Sequence, residues 1–119
     1  MGTLAELRRR GKRLGIVTNG AAAVQNAAID ALGIRDAIDV ILISETEGIR
    51  KPQADIFHRA AARAGVAPGE CCFVGDHPTV DIAGAEAAGL RGIWKRTSYW
   101  APAVPVPTID SLPELLGFL

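Results

Sequence analysis

Four short apolar runs punctuate the chain: Leu14–Thr18, Val40–Ser44, Cys71–Val74 and Gly92–Lys95. Each has strand length, and near-continuous apolarity marks strands buried on both faces, as in a parallel sheet. The segments between them read as helices. Thr3 and Glu6 have the spacing of a capping box ahead of a short helix striped by Leu4 and Leu7, which Gly11 can close. Ala21 to Leu32 is rich in helix formers and stops at Gly33. Glu45 to Arg50 reads as a polar loop, after which Pro52 suits the first turn of a helix carrying Ile56, Phe57, Ala60 and Ala64 and ending at Gly65. A further helix from about Asp81 to Ala88 stops at Gly89. The proline-rich stretch Ala101 to Pro107 predicts an extended surface crossing. Ser111 and Glu114 then repeat the capping-box spacing before an apolar face of Leu112, Leu115, Leu116 and Leu119. Strands alternating with helices predict an α/β fold, a three-layer α/β/α sandwich with a parallel sheet and right-handed crossovers, in one domain spanning residues 1–119.

Composition narrows the functions this frame can carry. The 119 residues hold 13 basic and 13 acidic side chains with an isoelectric point near 6.7, so no net field favours nucleic acid or an anionic membrane surface. The chain is 49% hydrophobic but only 5% aromatic, which predicts a core of Ala, Ile, Leu and Val. Cys71 and Cys72 are adjacent, too close for an ordinary disulfide and without a second pair for zinc, which points to reduced thiols and a cytoplasmic protein. No apolar stretch reaches the roughly 18 residues of a membrane span, and MGTLAELRRR lacks the apolar core of a signal peptide.

The candidate chemistry gathers where strands end. Open α/β sheets bind ligands at the carboxyl ends of their strands. There the sequence places Thr18 and Asn19 after the first run, Lys51 at a helix entrance, and Asp76 and Asp81 after the third run. Pro78 disfavours helix at His77 and predicts a loop between the two carboxylates. Two acids on such a loop suit a hard, hydrated cation such as Mg²⁺; the alternative is that Asp81 caps the helix that follows. Taken singly, Thr18 fits a strand-end hydroxyl, Lys51 a solvated helix-start residue and His77 a loop histidine. Taken together the set fits phosphoryl chemistry. Thr18 and Asn19 would hold phosphate oxygens through a hydroxyl and backbone N–H, Lys51 would neutralise them, and the carboxylates would hold the metal.

The sequence also resembles the haloacid dehalogenase-like hydrolase superfamily, in its branch of small-molecule phosphatases related to phosphoglycolate phosphatase. LGIVTNG resembles that family's second motif, ISETEGIRKPQADIF its third and FVGDHPTVDIAGAEAAG its fourth. The resemblance implies that Thr18 binds the transferring phosphoryl group with Asn19 beside it, that Lys51 screens nucleophile and substrate, and that Asp76 is a Mg²⁺ ligand. Asp81 would support the metal waters or Lys51. The family's first motif, an Asp-x-Asp that supplies the nucleophile, has no counterpart, since residues 1–17 contain no aspartate. The resemblance places that missing strand between Leu14–Thr18 and Cys71–Gly75. It implies that the chain opens at the re-entry into the core after a cap domain.

Two function classes follow. One is a Mg²⁺-dependent phosphatase core acting on a small phosphorylated substrate, without its nucleophile; the other is a non-catalytic module that binds metal, phosphate or another chain. The absent central strand predicts either direct pairing of the first and third strands or self-association, with a homodimer as the favoured assembly.

Overall fold

The structure, a computed structural model, describes residues 2–96 and 106–119. Its strands are β1 (Gly15–Thr18), β2 (Val40–Ile43), β3 (Cys72–Gly75), β4 (Arg91–Lys95) and β5 (Thr108–Ile109). Its α-helices are α1 (Gly2–Arg9), α2 (Ala22–Leu32), α3 (Ser44–Glu47), α4 (Ala54–Ala64) and α5 (Gly84–Ala87). The fold is α/β, and every strand pair is parallel. The four apolar runs become strands within a residue or two of their expected limits, while β5, whose two residues carry no periodic signal, is an addition.

The strands form two sheets, β1-β2 and β3-β4-β5. β1 pairs with β2 from Gly15 opposite Val40 to Thr18 opposite Ile43, and β3 pairs with β4 from Cys72 opposite Arg91 to Gly75 opposite Trp94. β1 and β3 do not pair, so direct closure of the sheet is not what the chain adopts. Burial follows from this. The two strands that would be innermost, β1 and β3, contain no fully buried residue, whereas Leu42 and Ile43 of β2 and Ile93 and Trp94 of β4 are buried.

Helices on both faces hold the two sheets together. One cluster joins Leu42 of β2, Ile56 and Phe57 of α4 and Ala85 of α5, with Val17 of β1 and Phe73 of β3 packed against it. The Phe57 and Phe73 rings meet edge to face at 5.0 Å, a geometry worth about 0.5–1.5 kcal/mol beyond area burial. On the opposite face Leu7 of α1, Ile93, Ile109 and Leu115 form a second cluster, against which Leu14, Cys72 and Val74 pack. Cys72 and Val74 face one way and Phe73 the other, the period of two that a strand covered on both sides requires.

Several local expectations are corrected. Thr3 lies inside α1 rather than capping it, and Glu6 pairs with Arg9 and Arg10. The stretch read as the polar loop Glu45 to Arg50 begins with helix α3, closed by Gly48. Pro52 stands ahead of α4, whose cap is Gln53; the Lys51–Pro52 peptide is cis. The last helix is a 3₁₀ segment, Leu112–Phe118, and the Ser111/Glu114 capping box forms as predicted. Most of the proline-rich tail, residues 101–105, lies outside the described residues.

Candidate active site

Because both sheets are parallel, the strands deliver their carboxyl ends to one edge. Thr18 and Asn19 leave β1, Ser44 leaves β2, and Asp76 leaves β3. Asn19 then ties the first and third motifs together. Its side-chain Nδ2 donates to the Lys51 carbonyl at 3.1 Å, and its Oδ1 accepts the Lys51 backbone N–H at 2.9 Å. With both ends of its amide on the Lys51 main chain, Asn19 positions the lysine. Gly20 closes the turn, its N–H donating to Ser44 Oγ at 2.8 Å.

Lys51 reaches across the molecule. Its Nζ donates to Asp81 Oδ1 at 2.6 Å, and both side chains are nearly enclosed, 12% and 8% exposed. The ammonium also lies 5.5 Å from the centroid of the Phe73 ring. Asp81 Oδ2 accepts the His77 backbone N–H at 3.2 Å, so both carboxylate oxygens are engaged. Gly75 makes this possible: a Cβ there would sit 2.4 Å from Asp81 Cβ, so only glycine lets the carboxylate fold back against the end of β3.

The segment after β3 is the predicted loop only at His77, whose backbone is extended. A π-helical turn, Pro78–Ala83, starts at Pro78 and runs into α5. His77 is its cap, with Nδ1 accepting the N–H groups of Thr79 at 3.2 Å and Val80 at 3.0 Å. Asp81 therefore lies within the turn and is not the helix cap, and His77 is more than a loop histidine. A signal for this existed, since proline at the first helical position makes the residue before it the cap. Asp76 is exposed, and its carboxylate has no hydrogen-bond partner among the described residues, while its carbonyl accepts the indole N–H of the buried Trp94 at 3.1 Å.

The structure thus brings together all five residues singled out in the sequence, in distinct states. Asn19 and Lys51 are hydrogen-bonded to each other, Thr18 precedes Asn19 with its hydroxyl on Gln25, Asp81 joins through Lys51, and Asp76 stands at the rim with no side-chain partner among the described residues. Sequence reasoning missed Gln25, Ser44, Trp94 and the capping role of His77. A cleft of about 550 Å³ opens on the β1–β2 side of this edge, lined in part by Asn19, Gly20, Ser44, Ile49, Arg50 and Gln53.

The donor set fits a hydrated divalent ion at one point. Asp76 offers free carboxylate oxygens of the hard type that Mg²⁺ takes, while Asp81 is occupied by Lys51 and His77. Among the described residues no group of three or more His, Cys, Asp or Glu side chains converges, so an ion held here keeps most of its waters. No described helix is long and apolar enough to cross a membrane.

Comparison with known proteins agrees with this arrangement. A haloacid dehalogenase-like hydrolase family profile matches residues 1–89. A phosphoserine phosphatase of Thermus thermophilus is 42% identical over 91 residues, covering 76% of this chain and 36% of that protein. A glyceraldehyde 3-phosphate phosphatase of Pyrococcus furiosus is 34% identical over 123 residues, covering 98% of this chain and 51% of that protein. Among solved structures, a HAD phosphatase from Thermococcus onnurineus superposes with a TM-score of 0.92 at 32% identity, covering 99% of this chain and 55% of that one. The chain spans about half or less of the length of these relatives. Residue matches along three quarters of the sequence and the shared spatial arrangement lead to one conclusion: the chain belongs to the haloacid dehalogenase-like hydrolases.

Proposed function

We propose that the chain is the phosphate-gripping core of a Mg²⁺-dependent phosphatase for a small phosphomonoester. The observation that carries this reading is Lys51, an enclosed ammonium held by Asp81 and fixed through its main chain to Asn19, the residue that follows Thr18 at the end of β1. Relatives named as phosphatases for several small phosphorylated metabolites support the substrate class. In this reading Thr18 Oγ1 donates to a phosphate oxygen and Lys51 offsets charge that develops on the phosphoryl group. Asp81 keeps the ammonium aimed, and Asp76 would hold Mg²⁺, with Asp81 in support through Lys51. A bound Mg²⁺ supplies charge neutralisation at the phosphoryl oxygens. The adjacent thiols Cys71 and Cys72 are both free, as suits the reducing cytoplasm.

None of the five site residues is placed as a nucleophile, and a covalent route lacks its first step without one. The 119-residue chain alone should therefore bind phosphate and metal with negligible turnover. An assay on a generic phosphomonoester with Mg²⁺ tests this: turnover abolished by Lys51→Ala or Asp76→Asn would refute inertness. Backbone NMR during a Mg²⁺ titration tests the metal assignment, with shifts centred on residues 76–81 expected at millimolar metal. Their absence would remove it.

A second reading has its own observation. Among the described residues β1 and β3 each keep one edge without a strand partner, on half-buried strands, a template for another chain. On this reading the chain is a binding module, and the assembly proposed for it is a homodimer.

A further inference from the structure

Thr18 does not stand alone at the end of β1. Its hydroxyl donates to Gln25 Oε1 at 3.1 Å, from the second turn of α2. A threonine hydroxyl has a single proton, so a hydroxyl that donates to Gln25 has none left to donate to a phosphate oxygen. The arrangement in the structure is therefore one in which the proton the site needs is engaged elsewhere.

The remedy lies in the same side chain. A glutamine amide carries an acceptor and a donor at nearly equivalent positions, and its terminal torsion is broad and roughly two-fold. Half a turn would bring Nε2 to Thr18 Oγ1. The amide would then donate to the hydroxyl oxygen, and the hydroxyl proton would be free to point at an anion. Little opposes this turn, because Nε2 has no hydrogen-bond partner among the described residues. The backbone is shaped around this side chain. A Cβ at Gly20 would lie 2.6 Å from Gln25 Nε2 and 3.2 Å from both Cδ and Cγ, and Gly20 itself has a φ of +143°. Glycine at the turn leaves the space in which the amide lies over Thr18.

We propose that Gln25 is a positioning residue for the phosphate-binding hydroxyl, its amide accepting from Thr18 as in this structure and donating to it when an anion is bound. This rests on the reading of Thr18 as a phosphate donor. It adds that α2, and not the strand alone, sets the direction of the hydroxyl proton.

The test is a titration of the ¹⁵N-labelled chain with inorganic phosphate. The Gln25 side-chain amide signals should move in the unaltered chain and stay in place in Thr18→Val. Gln25→Leu should weaken phosphate binding about five- to tenfold, the scale of one ordinary hydrogen bond. In a Thr18→Val background it should change nothing further, an outcome a merely structural role would not produce. Gln25→Glu offers a carboxylate that only accepts. Its affinity relative to the unaltered chain should be lowest at neutral pH and rise as that carboxyl protonates. If Gln25→Leu keeps full affinity while Thr18→Val weakens it, the role of Gln25 is overturned and phosphate binding stands. If the unaltered chain and Thr18→Val bind equally or not at all, the phosphate reading falls and this inference with it.

Discussion

Replacing Asp81 by asparagine tests the pair at the centre of the site, because it removes one charge while keeping shape and an oxygen for the His77 N–H. In the folded chain Lys51 Nζ and Asp81 Oδ1 are 2.6 Å apart and 12% and 8% exposed. At an effective dielectric of about 20 two unit charges at that distance attract by about 6 kcal/mol. Desolvation of both ions cancels a large part of this, but Asp81→Asn leaves the ammonium enclosed and uncompensated, so the expected net loss is about 2–4 kcal/mol. At roughly 2.1 cal/mol/K per residue, 119 residues melt with an entropy near 0.25 kcal/mol/K. Each kcal/mol then lowers the melting temperature by about 4 °C, and the variant should melt about 8–16 °C lower. Asp30→Asn is the matched control. Its partner is Arg35 at 2.7 Å, but the pair is 63% and 42% exposed, so it should cost under about 1 kcal/mol. Adding Lys51→Met to Asp81→Asn removes the stranded charge and leaves an apolar chain over Phe73, so most of the loss should return. Urea and thermal unfolding followed by circular dichroism would measure all four proteins. A loss below 1 kcal/mol for Asp81→Asn, or no recovery in the double variant, would refute the claim that the pair is a desolvated ion pair holding the site.

Glu47 predicts an acid-sensitive support for the Lys51 segment. Hydrogen bonds from Arg63 first and then Arg59, at 2.8–3.0 Å, hold its carboxyl below the usual carboxylate range. A lowered folded value means that this stability is present above the unfolded carboxylate range and is lost as pH falls through the folded one. Glu47→Gln should cost about 1 kcal/mol at neutral pH, since both arginines are partly exposed, and little at acid pH; equal losses at both would contradict it. For the homodimer, sedimentation should show a species heavier than the monomer at micromolar concentrations. A monodisperse monomer would exclude self-association through β1 and β3.

How much of this was legible beforehand depended on distance along the chain. Leu14–Thr18 and Cys71–Val74 announced themselves because a strand covered on both faces must be apolar at every position. Once both were read as parallel, Thr18, Asn19, Asp76 and Asp81 had to gather at one edge. Ser111 and Glu114 were equally readable, since a capping box closes within three residues. What tertiary structure decided were contacts between distant residues. The Asn19–Lys51 bonds span 32 positions and the Lys51–Asp81 bond spans 30, and no local periodicity encodes either. From its local context Asp81 read as a metal carboxylate or, alternatively, a helix cap; it became a buried partner of Lys51 because Gly75 leaves room for it and Lys51 arrives from another element. Gln25 carried no signal: one of three polar residues in an alanine-rich helix, it gains meaning only when the turn at Gly20 lays it over Thr18. The separation of β1 from β3 lies furthest beyond local reading. An apolar run states that a strand will be covered on its faces, as α1 and α4 cover these, but whether another strand pairs with its edge is a matter of tertiary structure, which leaves β1 and β3 in separate sheets.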